Sequence, residues 1–266
     1  MGVNLDKCQT VRQRKSLKTQ EWHNRFVQQS SWTTEARSFI LNRIRLPQQA
    51  RILEIGSGTG AILDSYPEPR SGQLFGLDLH FQFLRFNKIG KPTIELINAD
   101  GYCIPFLENY FDFVYCHYLL LWIQEPVKML QEMKRVVRKE SWVACFAEPD
   151  YQGRIDYPEN YSKLGLLQNQ SMKIQGARID GGRQIAHQLQ DAGFSNITWG
   201  IIGANRPLVS NLQEAELEQK VLENDLNLLA EEKSNPFRPF ENLADDNLES
   251  HIQFIPTFFA YAQKSG

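Results

Sequence analysis

Short apolar runs alternate with amphipathic segments over residues 51–147, and this alternation constrains the fold more than any other feature of the sequence. The apolar runs have the length and composition of strands, and they lie at Arg51–Ile55, Leu74–Leu79, Ile94–Ala99, Phe111–Cys116 and Trp142–Ala147. The segments between them, including Phe81–Lys88 and the one that starts at Pro126, have the periodicity of amphipathic helices. Strands that alternate with helices indicate an α/β fold, in which helices cover both faces of a parallel sheet.

The residues before the first strand are predicted to form two helices. Residues 20–44 have helical periodicity with an interruption at Ser30–Thr34, where Thr33 or Thr34 would cap the second helix. The positions expected to be buried are Trp22, Phe26, Phe39, Ile40 and Ile44.

The pattern is looser after Glu148. Helices are predicted at Glu159–Lys173, Arg183–Ala192 and Leu212–Glu232, and further strands at Asn196–Ile202 and Phe254–Gln263. The whole chain is therefore predicted to be a doubly wound, mostly parallel seven-stranded sheet with helices on both faces, an N-terminal helical lid and a helical segment inserted before strand six.

The composition argues against several classes of protein. The chain has 266 residues, of which 42% are hydrophobic, so it is long enough to bury a full core. Its net charge of −2 does not favour a polyanion-binding protein. No segment reaches the roughly 18 consecutive apolar residues of a membrane helix, and the N-terminus lacks the apolar segment of a secretory signal. We expect a cytoplasmic protein without a membrane contact.

The cysteines and the basic N-terminus give weaker indications. No pair of cysteines has CxxC spacing, so we expect neither a metal site nor disulfides among Cys8, Cys103, Cys116 and Cys145. Residues 1–20 are basic. A solvated terminus is the favoured interpretation, and an arm that contacts nucleic acid or a membrane is the alternative.

A glycine-rich turn directly follows the first strand. Gly56, Gly58 and Gly60 lack a Cβ atom, so they can adopt positive φ angles and let a ligand lie against the backbone. Open α/β sheets bind their ligands at this carboxyl end of the strands. The spacing of Gly56, Gly58 and Ala61 also fits a dinucleotide-binding turn, with Asp78 at 22 positions after Gly56. A nicotinamide or flavin enzyme is therefore one interpretation.

Three further features favour a different ligand. Glu54 lies two residues before the first glycine, where its carboxylate would crowd a pyrophosphate but could bind the ammonium end of an amino acid. The third glycine, Gly60, comes one position earlier than in the dinucleotide motif. A second acid, Asp100, follows the third strand.

The segment Glu54-x-Gly-x-Gly-x-Gly60 resembles the first motif of the class I S-adenosylmethionine-dependent methyltransferases. The resemblance continues over roughly residues 50–150. Leu77-Asp78-Leu79 is similar to the end of the second strand in that family, Ala99-Asp100-Gly101 to the end of the third, and Phe111-Asp-Phe-Val-Tyr-Cys-His117 to the fourth strand. Glu140-Ser141 replaces the glycine pair that is usual before the fifth strand.

The resemblance implies S-adenosylmethionine as the cofactor and assigns residues to it. Asp78 would bind the ribose hydroxyls, and Asp100 would bind the adenine amino group. The full set of cofactor-binding residues that it implies is Glu54, Gly56, Ser57, Gly58, Gly60, Asp78, Leu79, Asp100, Gly101 and Cys116. It also implies two parts of the chain, an arm and lid at 1–45 and a Rossmann-like methyltransferase domain at 46–266 with cap elements near 150–180 and 205–250.

The sequence says less about the residues that would bind the methyl acceptor than about those that would bind the cofactor. His117 follows the fourth strand and is the candidate general base, although a role in shaping the pocket is favoured. Candidate substrate-binding residues are Trp32, Glu148, Tyr151 and Arg183.

We expect a small-molecule acceptor methylated on oxygen, nitrogen, sulfur or a carboxylate, because the segments before the sheet and near 150–180 can close a pocket. A protein, peptide or nucleic-acid methyltransferase is the first alternative. The Asn-Pro-Pro-Tyr type motif of base-methylating enzymes is absent after the fourth strand, so nucleic acid is not favoured as a partner. A dinucleotide-dependent oxidoreductase and a non-enzymatic cofactor-binding scaffold remain further alternatives.

Overall fold

The computed structural model describes residues 18–65, 72–90, 94–203, 212–230 and 252–266. Its helices are α1 (Thr19–Trp32), α2 (Thr34–Ile44), α3 (Phe81–Gly90), α4 (Pro126–Val136), α5 (Glu159–Ile174), α6 (Ile185–Asp191) and α7 (Leu212–Ala230). Its strands are β1 (Arg51–Ile55), β2 (Gln73–Asp78), β3 (Glu95–Asn98), β4 (Phe111–Cys116), β5 (Val137–Pro149), β6 (Ile155–Tyr157), β7 (Ser195–Ile201), β8 (Ile252–Phe254) and β9 (Thr257–Gln263). Residues 1–17, which contain most of the basic arm, lie outside the described residues.

Seven of the strands form one sheet in the order β3-β2-β1-β4-β5-β9-β7. The pairs among β1, β2, β3, β4 and β5 are parallel, and β9 pairs antiparallel with both β5 and β7. This confirms the predicted mostly parallel seven-stranded sheet. The last strand is not at the edge, because β9 inserts between β5 and β7. A second, two-stranded sheet of β6 and β8 was not predicted.

Helices cover both faces of the sheet, as the apolar central strand β4 predicts. Its residues Phe113 and Tyr115 pack with Ile40 and Ile44 of α2 on one face, whereas Val114 packs on the other face with α4 and α6. Full burial of one such side chain stabilises the fold by about 1.5–3 kcal/mol. The α2 contact therefore attaches the N-terminal helices firmly to the sheet.

The junction between α1 and α2 falls at Thr33, inside the predicted interruption. Thr33 occupies the N-cap position of α2, but its hydroxyl makes no capping hydrogen bond to that helix. Thr33 is therefore the N-cap residue, as one of the two predicted alternatives, but its hydroxyl contacts His117 and joins the lid to β4. Phe39 was predicted to be buried but is 41% exposed, whereas Ile40 and Ile44 are buried as predicted.

In the described residues a single 3₁₀ turn, Leu63–Ser65, follows the glycine turn. Glu140, which replaces a glycine of the motif that the sequence resembles, lies within β5 and adopts a φ of +60°. A left-handed φ is costly for most residues other than glycine, so this position is one that glycine would suit.

No helix in the described part of the chain is both long enough and apolar enough to cross a membrane.

Candidate active site

The glycine turn lies between β1 and the 3₁₀ turn, and all three of its glycines have positive φ. The φ angles are +71° at Gly56, +52° at Gly58 and +84° at Gly60. The backbone N–H groups of Gly56 and Ser57 donate to the carbonyl oxygen of Leu77 at 2.7 and 3.0 Å. These bonds tie the turn to the end of β2, so the turn has one defined conformation at the carboxyl edge of the sheet.

Side chains from three other elements press on the glycine turn. A Cβ atom on Gly60 would overlap the side-chain amide of Asn87, and one on Gly56 would lie 2.7 Å from Leu119 Cδ1. A Cβ atom on Gly58 would lie 3.3 Å from Phe26 Cε2 of α1. The glycines are thus required by packing as well as by backbone conformation. No local pattern of the sequence indicates that Asn87 and Phe26 belong to this turn.

Asp78 ends β2 and bonds directly to the glycine turn. Its Oδ2 accepts the N–H of Gly58 at 2.8 Å, and its Oδ1 accepts the N–H of His80 at 2.7 Å. Oδ1 also lies 3.3 Å from Nδ1 of His80, whereas Oδ2 has a second lone-pair position for a further hydrogen bond. The geometry therefore places a fixed carboxylate acceptor beside Gly58.

Glu54 is buried under the turn at 2% exposure. The hydroxyl of Tyr115 donates to its Oε2 at 3.2 Å. Burial raises the pKa of Glu54 well above its usual value, and the Tyr115 bond and the Arg37 charge oppose this effect only in part. A cationic group bound next to Glu54 would favour its ionised form.

Asp100 and Gly101 follow β3. Asp100 is half-buried, and its Oδ1 accepts the N–H of Tyr102 at 2.9 Å, which fixes the turn. A Cβ atom on Gly101 would lie 2.7 Å from Met129 Cε, so a larger residue here would have to displace the end of the Met129 side chain. Leu79 is exposed at the end of β2, on the same edge of the sheet.

Ser57 and Cys116 present little side-chain chemistry. Ser57 is buried, and its hydroxyl has no hydrogen-bond partner among the described residues. The thiol of Cys116 is fully buried and lies 3.8 Å from Glu148 Oε1. A hydrogen bond with Cys145 and burial raise its pKa well above the usual value, so the thiol is not reactive. Cys116 can contact a ligand only through its backbone.

The edge of the sheet fits S-adenosylmethionine. Three carboxylates, Glu54, Asp78 and Asp100, stand at the carboxyl ends of the neighbouring strands β1, β2 and β3. Between them lies a turn without Cβ atoms. Carboxylates suit a ligand with an ammonium group, two ribose hydroxyls and an adenine amino group, whereas they do not suit a pyrophosphate.

His117 follows β4 and is hydrogen-bonded to the lid. Its Nε2 lies 2.9 Å from the hydroxyl of Thr33. The guanidinium of Arg37 donates to the same hydroxyl at 2.7 Å and to the carbonyl oxygen of Ser30 at 2.7 Å. Burial, together with the Arg37 charge, lowers the pKa of His117 well below its usual value, so the imidazole is neutral near pH 7.

Glu148 lies beneath the loop that follows β4 rather than in the acceptor space. It is 0% exposed, and its oxygens accept the N–H groups of Leu119 and Leu121, both at 3.2 Å. Burial raises its pKa to about 7. The carboxyl group holds the loop in place and does not face a substrate amine.

Arg183 bonds to the buried Asp150. Its Nη2 donates to Asp150 Oδ1 at 2.7 Å, and its Nε donates to the other oxygen. Asp150 also accepts the N–H of Gly153 at 2.9 Å. The guanidinium therefore holds the loop after β5, and it is half-exposed outside that contact.

Helix α7 contacts both α1 and α5. Arg25 of α1 lies 3.7 Å from Glu218 of α7, and the side-chain amide of Gln168 of α5 donates to Asp225 of α7 at 3.1 Å. Because α1 is joined to β4 through Thr33, these contacts connect the lid to the cap helices.

The other candidate substrate-binding residues contact different elements. The carbonyl oxygen of Tyr151 accepts the side-chain amide of Asn169 of α5 at 2.9 Å. The guanidinium carbon of Arg25 lies 4.9 Å from the centroid of the Trp32 ring. Trp32 and Tyr151 thus contact α1 and α5, whereas Glu148 and Arg183 hold the loops after β4 and β5. Arg25 was not identified from the sequence.

Comparison with known proteins identifies relatives of this chain. A family model described as a methyltransferase domain matches residues 53–145. The chain is 30% identical over 159 residues to an uncharacterized methyltransferase of Schizosaccharomyces pombe. This alignment covers 54% of this chain and 56% of that protein. The chain is also 26% identical over 206 residues to a demethylmenaquinone methyltransferase of Renibacterium salmoninarum. This second alignment covers 71% of this chain and 85% of that protein.

The fold is similar to that of a solved enzyme. A phosphoethanolamine N-methyltransferase of Haemonchus contortus, in complex with phosphomonomethylethanolamine and S-adenosylhomocysteine, superposes with a TM-score of 0.56 at 16% identity. The superposition covers 88% of this chain and 53% of that chain.

Proposed function

Because the chain is a class I S-adenosylmethionine-dependent methyltransferase, we propose that it transfers a methyl group to a small-molecule acceptor through oxygen, nitrogen, sulfur or a carboxylate. The observation that carries the proposal is a chain of contacts that joins the N-terminal helices to the segments after β5. Contacts run from β4 through His117 and Thr33 to α1, from α1 to α7 and α5, and from α5 to Tyr151 after β5. Segments joined in this way can close over a small substrate, whereas a polymer needs an open groove.

The cofactor would be held at the three strand ends described above. Glu54 and the glycine turn, with Gly56, Ser57, Gly58 and Gly60, would hold its amino-acid part. Asp78 and Leu79 would hold the ribose, and the backbone of Cys116 would line the same cleft. Asp100 and Gly101 would hold the adenine.

When bound, S-adenosylmethionine supplies an electrophilic methyl group: an electron pair of the acceptor forms the new bond, and the carbon–sulfur pair stays on the sulfur. The residues of this chain have to exclude water and align the acceptor. His117, held neutral and hydrogen-bonded to Thr33, shapes the pocket and is at most an auxiliary base. The acceptor contacts Trp32 and Tyr151, while Glu148 and Arg183 act indirectly by holding the loops after β4 and β5.

The named relatives support this assignment. Demethylmenaquinone and phosphomonomethylethanolamine, which appear in the names of two matched proteins, are both small molecules. A protein, peptide or nucleic-acid acceptor is the alternative. No observation in the described residues favours it over the small molecule.

The proposal is tested with the purified chain and S-adenosylmethionine. A panel of phenols, amines, thiols and carboxylic acids is offered as acceptor, and formation of S-adenosylhomocysteine is measured. We expect turnover with at least one small-molecule class, and binding of S-adenosylhomocysteine but not of NAD in a calorimetric titration. Turnover with protein or nucleic acid alone would contradict the small-molecule assignment.

A further inference from the structure

A cavity lies on the α2 face of the sheet, away from the glycine turn. Its volume is about 590 Å³, which is within the range of small-molecule pockets. Helix α2 begins beside His117, at the carboxyl end of β4, and ends at Ile44, shortly before β1 begins. The end of α2, and the cavity with it, therefore lies toward the opposite edge of the sheet from the cofactor site. The end of α2 lines the cavity with Arg43 and Arg45, β5 and β9 with Trp142 and Tyr261, and β7 with Asn196 and Thr198.

Arg43 and Arg45 bring two positive charges to this cavity. Both residues are exposed, and neither forms an ion pair within the described part of the chain. The guanidinium carbon of Arg43 lies 4.5 Å from the centroid of the Phe39 ring. A cation–π contact leaves the N–H donors of a guanidinium available for hydrogen bonds. The cavity therefore offers a set of charged donors without a carboxylate partner.

The backbone at Arg45 is strained in a way that glycine would avoid. Arg45 follows α2 as its C-cap residue, with a φ of +47°. Glycine is the usual residue with this left-handed backbone at a helix end, because other side chains are disfavoured there. Strain of this kind is often found where a side chain has a function. Glycine would relieve the strain but would remove one of the two charges from the cavity.

Trp142 and Tyr261 form an aromatic wall of the cavity. Their ring centroids are 5.7 Å apart, and the ring planes meet at 51°. Tyr261 is buried, whereas Trp142 is half-buried, so part of the indole can contact a ligand. Thr198 is exposed on β7 and adds a hydroxyl. The lining thus combines cations with an aromatic surface that suits a planar ring.

We propose that this cavity binds a small aromatic phosphate of the size of a nucleotide, at a site separate from that of the cofactor. Guanidinium groups form charge-assisted, often bidentate hydrogen bonds with phosphate oxygens. Arg43 and Arg45 would hold the phosphate, and Trp142 would contact the ring. The cofactor site presents three carboxylates and suits the opposite charge. The two sites therefore select different ligands.

The test uses AMP as the probe on a chain saturated with S-adenosylhomocysteine, so that the cofactor site is filled. Binding is measured by calorimetry and by tryptophan fluorescence. We expect AMP to bind more tightly than either adenosine or inorganic phosphate, because only AMP uses both the charges and the aromatic wall. We expect AMP to quench the fluorescence of the unmodified chain and to quench that of Trp142→Phe less.

Arg43→Gln and Arg45→Gln should each weaken AMP binding about tenfold to a hundredfold, because each removes charge-assisted hydrogen bonds. The matched control is Arg85→Gln, at an exposed arginine of α3, which should leave the AMP affinity unchanged. Arg45→Gly separates binding from folding, since glycine suits the left-handed backbone at this position. It should stay folded and bind S-adenosylhomocysteine normally, yet lose AMP affinity as Arg45→Gln does.

The alternative is that the arginines only complement the negative end of the α2 dipole. In that case Arg43→Gln and Arg45→Gln keep the AMP affinity of the unmodified chain, and the proposal is wrong. It is equally wrong if AMP binds only when S-adenosylhomocysteine is absent, if inorganic phosphate binds as tightly as AMP, or if no probe binds. None of these results bears on methyl transfer, so the proposed function stands or falls separately.

Discussion

The hydroxyl of Thr33 lies 2.9 Å from Nε2 of His117, so the junction of α1 and α2 is attached to the carboxyl end of β4. Because Thr33 also accepts a hydrogen bond from the buried Arg37, the imidazole faces a cationic lid. Burial lowers the pKa of His117, and the Arg37 charge lowers it further. A low pKa and a fixed hydrogen bond favour a positioning role over general base catalysis.

We therefore expect His117→Ala to reduce kcat by less than about tenfold, with much of the effect on KM, whereas loss of a general base typically costs about 10²–10⁴-fold. Because the pKa of His117 is lowered, its protonation should not reduce activity between about pH 6 and 7. Steady-state kinetics over this pH range check both points. His187→Ala, at an exposed histidine of α6, is the matched control. A thousandfold loss of kcat with intact cofactor affinity would show that His117 is the base.

Asp78→Ala should weaken binding of S-adenosylhomocysteine by roughly 10- to 100-fold, because a hydrogen bond to a charged acceptor is worth about 1.5–3 kcal/mol. The variant also removes the acceptor of the Gly58 N–H group. Isothermal titration calorimetry measures the effect, and Asp191→Ala, at an exposed aspartate, serves as the control. An unchanged dissociation constant in the folded variant would exclude Asp78 from the site.

Gly58→Val should abolish cofactor binding while leaving the fold largely intact. A branched side chain at a φ of +52° is strained, and its Cβ atom would lie 3.3 Å from Phe26 in the space beside Asp78. The control is Gly203→Val, since a Cβ atom on Gly203 would meet nothing within 4 Å. Circular dichroism and calorimetry are measured on both variants. Normal binding by Gly58→Val would mean that the turn does not hold the cofactor.

Glu148 should make the stability of the fold depend on pH. Its pKa of about 7 in the folded chain lies above the usual 4.5, so folding favours its protonated form. Its stabilising contribution is complete below about pH 4.5 and decreases by up to about 1.4 kcal/mol per pH unit until about pH 7. Above that pH the contribution is lost.

Urea unfolding at about pH 5 and pH 7.5 tests this expectation. The unfolding free energy of the unmodified chain, relative to that of Glu148→Gln, should fall by on the order of 3 kcal/mol between these pH values. Glu95→Gln, at an exposed glutamate, should leave the pH dependence unchanged. Parallel curves for the unmodified chain and Glu148→Gln would show that Glu148 is ionised over the whole range.

The sequence by itself determined the sheet class, the glycine turn and the carboxylates at the strand ends. These are local patterns: strand periodicity identifies β1 to β5, and Glu54, Asp78 and Asp100 each follow or lie within a recognisable strand. Parallel strands have their carboxyl ends at the same edge of the sheet. The strand pattern alone therefore predicted that these three carboxylates lie near one another. The roles of these residues toward the cofactor, and the division of the chain near residue 45, stay predictions.

The tertiary structure alone decided which side chains enclose the site and which are hidden. Glu148 and Tyr151 are three residues apart in the sequence, yet the first is sealed under the β4 loop and the second packs against the apolar cluster of Leu121, Met172, Ala177 and Ile179. Asn87, Phe26 and Arg25 reach the site from helices whose local sequence gives no sign of it. The sequence likewise did not show that β9 lies between β5 and β7. All of these features depend on packing between segments that are far apart in the chain. Which apolar surfaces and charged groups become buried is decided only when those segments meet in the folded protein.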